Sequence, residues 1–159
     1  MNININDISI YSDKMHISQV LVFFERYGIN FTRSQIQNYL KFGILPPLIS
    51  KRYYSKDHLV LLALLHTLKD TCTLQEIKNI FSLVLSIEDI SLQNMYTEYV
   101  SLQENMKQNL IHVLSQSLDE IKITGKNSKN ISDLEKTQVI NFMSILLIAS
   151  LAKVAKQYL

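Results

Sequence analysis

Arg33, Gln37 and Lys41 recur at intervals of four residues, and Ser34 and Asn38 stand beside them in the same stretch. On an α-helix this spacing gathers all five on adjoining strips of one face, since residues four apart lie one turn above each other. Side chains of these types hydrogen-bond and attract anions; they do not break covalent bonds. A helix laid in a DNA major groove reads base edges with such groups, Arg suiting guanine, Gln and Asn suiting adenine, and Ser pairing with either. Arg33, Ser34, Gln37 and Asn38 are therefore candidate base-reading residues, with Lys41 extending the row. Any amphipathic surface helix also turns polar residues outward, so the row takes its meaning from its surroundings.

Those surroundings are basic. Arg26, Arg33, Lys41, Lys51, Arg52 and Lys56 fall in one stretch that holds no Asp or Glu, a local field that the formal net charge of +2 conceals. Such a patch attracts phosphates whatever their sequence and steers encounter. Within it, Lys51 and Arg52 sit beside Tyr53 and Tyr54 in a loop too short to link domains. It reads as a hairpin-like wing in which Lys51 and Arg52 grip backbone phosphates. Tyr54 is expected to pack inward, while Tyr53 is open between core and contact. An ordinary solvated loop would show the same pair of charges.

Catalytic chemistry finds little support. The chain has three glycines and one cysteine, with no Cys-x-x-Cys pair, glycine-rich phosphate loop or strand-turn-helix nucleophile motif. We expect no enzyme, no cofactor and no metal. His58 and His66 share a helical stretch without further ligands, and His58 reads as a capping or surface residue, a phosphate contact being its functional alternative. Cys72 cannot form an internal disulfide, and the first residues lack a basic segment followed by an apolar run. The expected location is cytoplasmic.

The elements that must hold these residues are mostly helical. Hydrophobic residues make up 47% of the 159, and the two prolines stand together at Pro46 and Pro47. A chain so poor in breakers and rich in Leu, Ile, Lys and Gln favours helix. Met1 to Tyr11 reads as a short strand or an arm packed on the core. Ile17, Val20, Leu21 and Phe24 recur at helical spacing, with Asp13 as a possible N-cap and Gly28 as the stop. Thr32 opens the polar-faced helix, with Ile36 and Leu40 turned inward, and Gly43 and the proline pair end it. After Ser55, the run LVLLALL is apolar nearly all round and should be the buried centre. Thr73 and Glu76 form a capping box, and Leu74, Ile77, Phe81 and Val84 give the next helix its inner stripe.

The run TRSQIQNYLKFGILPP, followed by KRYYSKDHL and TLQEIKNI, resembles the DNA-binding domain of MerR-type regulators. It is similar, more closely, to an uncharacterised bacterial family of small MerR-like proteins from about Ile8 to Leu85. The most specific part is I-x-x-Y-x-x-x-x-x-L-P-P followed by K-[KR]-x-Y-S-x-x-H. The resemblance implies a mainly α fold, with a winged helix-turn-helix domain over residues 1–86 and a helical region over 87–159. It implies a sequence-specific double-stranded DNA-binding transcriptional regulator, in which Arg33, Ser34, Gln37, Asn38 and Lys41 lie on the recognition helix and Lys51, Arg52 and Tyr53 on the wing. Ordinary MerR-type proteins tend to place two arginines in that helix, where this chain has Ser34 and Gln37. Operator sequence and promoter-twisting mechanism therefore do not carry over. The rival reading is a MerR-like protein-interaction or ligand-sensing module without DNA binding.

Residues 87–159 carry slightly more acidic than basic side chains and are not expected to touch DNA. A long helix is expected from about Asp89 to Ile121, broken at Gly125 within TGKNSKN, and a final helix from Ser132 or Asp133. Its run VINFMSILLIASLAKVA is shorter than the ~20 residues a membrane span needs; burial in a bundle or dimer seam is the expectation. Leu110, Phe142, Leu146, Leu147 and Leu151 are the candidate homodimer contacts. A pocket for a small apolar effector, lined by Tyr96, Tyr99, Phe142 and the methionines, is the competing use of the same helices.

Overall fold

A computed structural model describes residues 3–87, 91–120 and 133–155. Among them the chain is mainly α, with helices α1 Ile5–Ser9, α2 Ile17–Glu25, α3 Arg33–Lys41, α4 Lys56–Leu68, α5 Leu74–Leu85, α6 Leu92–Glu120 and α7 Asp133–Ala155. Two isolated antiparallel bridges, Met15 with Tyr54 and Ile49 with Tyr53, are the β-structure among the described residues. Packing separates two units, Met1–Val100 and Ser101–Leu159. No helix among the described residues is long and apolar enough to cross a membrane.

The first unit is built around α4. Its residues Leu59 to Ala63 and Leu65 are all buried, as an all-round apolar sequence requires. Helices α1 and α5 pack on it. The segment before Tyr11 is a short helix and not a strand, because the Asn4 side chain accepts from the Asn6 amide and turns the chain. It also serves as a packed arm, burying Ile3 and Ile8. The Tyr27 hydroxyl donates to the Asp7 carboxylate and so ties α1 to the turn after α2. From the start of α6, Leu92 and Tyr96 enter the same core, and the Tyr96 hydroxyl donates to the Ile3 carbonyl at 3.1 Å. The charge balance changes near residue 87, whereas the packing of this unit continues to Val100.

Caps set the helix boundaries. Thr32 and Gln35 close a capping box at the start of α3, each side chain accepting the other's amide, and Thr73 and Glu76 do the same for α5. Asp13 does not cap α2. His16 holds that position, with its amide bonded to the Gln19 side chain at 2.8 Å. The Asp13 carboxylate instead accepts from the Lys56 amide at the start of α4, where the helix dipole favours negative charge. Gly28 and Gly43 both take positive φ, and the amides of Ile29 and Ile44 reach back to Phe24 and Tyr39. Each helix thus ends on a left-handed glycine with a buried isoleucine beyond it. Leu74, assigned above to the inner stripe of α5, is exposed; Ile77 and Phe81 are buried. As the first residue of its helix, Leu74 precedes the turn that α4 covers.

His58 fastens α4 to the loop before it and is 2% exposed, so it is not a surface or phosphate-contacting residue. Its Nδ1 faces the Ser55 amide at 3.1 Å and the Ser55 hydroxyl at 2.8 Å, both donors, while Nε2 faces the Pro46 carbonyl at 3.1 Å. This pattern assigns the neutral tautomer with the proton on Nε2. Burial pushes its pKa below the ordinary 6.5, outweighing the opposing pull of the Pro46 carbonyl and Asp57.

In the second unit, α7 leaves many of its apolar residues exposed, while Val139, Ile140 and Met143 are half-buried. Phe142, Leu146, Leu147 and Leu151 are exposed, and Leu110 on α6 is half-buried. The expected break at Gly125 lies outside the described residues.

The His58 clasp predicts a specific pH response. A folded state that holds the imidazole neutral keeps its full stability above pH 6.5 and loses it as pH falls below that value, because the unfolded chain takes up the proton first. Chemical denaturation of wild type and His58→Gln at pH 7.5 and 5.5 should show a smaller acid loss in the variant. His58→Ala at pH 7.5 should cost about 2 kcal/mol through the orphaned Ser55 and Pro46 groups.

Candidate nucleic-acid interface

Helix α3 divides sharply by face. Ile36 is fully buried, Tyr39 and Leu40 are half-buried, and Arg33, Ser34, Gln37, Asn38 and Lys41 are all exposed. Among the described residues, no hydrogen bond or ion pair engages those five side chains. The structure thus places the whole sequence-derived row outward on one nine-residue helix, with its donors and acceptors uncommitted.

The chain leaves α3 through Gly43 and the Leu45–Pro46–Pro47 turn, where Leu45 is buried and Pro46 is held by His58. A tight hairpin follows. Ile49 and Tyr53 exchange both backbone hydrogen bonds at 2.9 Å, and the Arg52 amide bonds the Ile49 carbonyl at 3.1 Å. Closing so short a loop forces Ser50 and Lys51 to φ of 50° and 60°, a left-handed conformation usually left to Gly or Asn. Lys51 holds its exposed ammonium at the tip despite this strain. The next residue pair anchors the hairpin, Tyr54 and Met15 exchanging backbone bonds at 2.9 Å.

Side chains at the hairpin base follow from that anchoring. Tyr54 is buried, with its ring edge-on to His58 at 5.4 Å. Burial raises its hydroxyl pKa, and the positive charge of Arg33 offsets part of the rise, so the first residue of α3 lies within electrostatic reach of the hairpin base. Tyr53 is half-buried; the Arg52 guanidinium stands 5.5 Å from its ring centre and the His16 ring 5.1 Å from it. Lys51 and Arg52 remain exposed.

Two neighbours were not legible in the local sequence. His16 reaches Tyr53 because Met15 pairs with Tyr54, a contact across 39 positions (54 − 15) that no local pattern announces. Lys78, from α5, brings its ammonium beside Gly43 at the end of α3, where a side chain at that position would meet it at 3.6 Å. Among the described residues no group of three or more His, Cys, Asp or Glu is placed to hold a metal. The arrangement can bind anions and hydrogen-bond a polar surface.

Comparison with curated proteins and with solved structures gives no match in either set. A family profile described as a domain of unknown function (DUF1836) matches residues 4–99. That span runs from the N-cap of α1 into α6 and nearly coincides with the unit Met1–Val100, so it contains α3, the hairpin and the His58 clasp. With well over half of the 159 residues matched, the chain belongs to the DUF1836 family.

Proposed function

We propose that this chain is a sequence-specific double-stranded DNA-binding transcriptional regulator of MerR-like winged helix-turn-helix type, acting as a homodimer in the cytoplasm. One arrangement carries the reading: the uncommitted polar row of α3, beside a strained hairpin that keeps two cations at its tip. In this reading α2 and α3 form the helix-turn-helix, α3 enters the major groove, and the hairpin is the wing that contacts flanking phosphates. Arg33 and Gln37 read bases, Ser34, Asn38 and Lys41 assist them, and Lys51, Arg52 and Tyr53 hold the backbone.

Dimerisation follows from the load on α7. Phe142, Ile145, Leu146, Ile148 and Leu151 are all more than half exposed or close to it, a larger apolar surface than soluble chains leave uncovered. A second copy meets it with the same residues, and two-fold pairing would set two recognition helices on successive half-sites. One observation favours a rival reading. Phe42, directly after the polar row, is 64% exposed, and an exposed aromatic at a helix end suits a protein partner. Loss of heparin and random-DNA binding in neither Arg33 nor Lys51 variants would favour that rival.

Random-sequence selection followed by binding assays tests the base-reading assignment. Arg33→Ala with Gln37→Ala should weaken the selected site and relax preference at a few positions, by about 1 to 3 kcal/mol for a lost bidentate contact. The fold should persist, since both side chains are exposed. Unchanged affinity and selectivity in the folded variant would reject it.

For the hairpin, neutralising Lys51 and Arg52 together should weaken specific and non-specific binding alike and reduce the salt slope by about 2 at most. Lys51→Gly is informative beside it. Its fold should gain stability by up to about 1 kcal/mol from relief of the positive φ while DNA affinity falls. A fall limited to one preferred sequence would instead make the hairpin a base reader.

Light scattering of the full-length protein should give the mass of two chains, and Leu146→Asp with Leu151→Asp should shift it towards one. A monomer at all micromolar concentrations would exclude the dimer.

A further inference from the structure

Three helices of the first unit each turn one short stripe toward a common hollow. From α4 come Leu61, Leu64 and Leu68, at spacings of three and four; from α5 come Ile80 and Val84; from α6 come Met95 and Tyr99. The hollow has a volume of about 300 Å³, and its lining includes no Asp, Glu, Lys, Arg or His. Thr67 supplies one of its two hydroxyls, already donated to the Ala63 carbonyl at 3.2 Å. Tyr99 supplies the other.

We infer that this hollow is a binding site for an uncharged, hydrocarbon-like small molecule about the size of two fused aromatic rings. Volume argues first: it is about twice that of an apolar cavity of ~150 Å³ that takes up benzene, and it falls at the lower end of ligand pockets. Chemistry argues second. A charged ligand would leave its hydration for walls that offer no counter-charge, whereas an apolar one gains from burial. Shape argues against a macromolecular occupant. Apart from Thr67 every wall residue is buried or half-buried, and the volume of about 300 Å³ is less than the ~400 Å³ that a single turn of an α-helix about 10 Å across would fill. The side chains of α7, which do stand out from the surface, offer the contrasting case.

The site also has a rigid frame. Leu61 is buried in the α4 core, Phe81 beside Ile80 is buried, and the α6 wall is pinned by the bond from Tyr96 to Ile3. The hollow therefore does not have to be made by the ligand. It occupies the C-terminal half of α4, whose N-terminus carries the His58 clasp. This inference stands apart from the DNA-binding reading, because occupancy is measured without DNA.

The test is a methyl-resolved NMR titration of the full-length protein with 2-naphthol, repeated with the charged 2-naphthoate. We expect saturable shifts at the methyls of Leu61, Leu64, Ile80 and Met95, with a Kd below about 1 mM, and binding of 2-naphthoate weaker by about tenfold or more. Val84→Phe fills the hollow and should weaken 2-naphthol by about tenfold, with the melting curve showing that it folds; Met95→Phe serves if it does not. Absence of saturable shifts, shifts centred on Ile145, Leu146 and Leu147, equal binding of the carboxylate, or a folded filled variant that binds like wild type would each overturn the site.

Discussion

An imidazole has two nitrogens that cannot play the same role when the ring is neutral, and the fold uses the difference at His58. One nitrogen receives both donors of Ser55, which starts α4; the other donates to the Pro46 carbonyl, which ends the exit from α3. A residue buried in the first turn of the central helix thereby fixes both ends of the segment that carries the hairpin. The two most specific stretches of the sequence, the one ending in Leu45–Pro46–Pro47 and the one running from Lys51 to His58, meet in this single hydrogen bond. Proline at position 46 suits the joint, since its carbonyl is the only hydrogen-bonding group its backbone has.

From that clasp the electrostatics outward follow. Because Pro46 and Ser55 are held, the residues between them must reverse direction in few steps, and the reversal places Ser50 and Lys51 in the left-handed region. A glycine there would relieve the strain and lose the charge. Arg52 is drawn over Tyr53 and His16 lies on another side of the same ring, which gives the tyrosine a packed position without burying it. The cations are thus presented by backbone geometry, and few of them by contacts of their own.

How much of this could be read from residues alone depended on range. Thr73 announced its helix because a capping box is complete within four residues, and α4 announced its burial because every face is apolar; the matching box of Thr32 with Gln35 emerged only in the structure. Asp13 misled: it has the right type for an N-cap of α2, but its carboxylate serves a helix that begins 43 positions later. Leu74 fitted a stripe by spacing and lies outside the cover that the stripe needs. His58 caps its helix, as its place at the helix start suggests, but its burial was not legible, because consecutive apolar neighbours do not say which turn they enclose. The outward row on α3 was legible in full, since one face of one helix needs no partner to define it. The neighbours His16 and Lys78 were not, as each arrives from a separate element.

The pairing of Met15 with Tyr54 has a temporal side. The hairpin bonds between Ile49 and Tyr53 span four positions, and turns of that size close in microseconds or less. Its anchor closes a loop of 39 positions (54 − 15), at an entropic cost that only the assembled α2, α3 and α4 can offset. During folding the tip can therefore form early and repeatedly while the base waits for the core, so the basic loop acquires its fixed direction only when the rest of the unit is in place. A chain arrested before that step would carry the same charges with no fixed orientation.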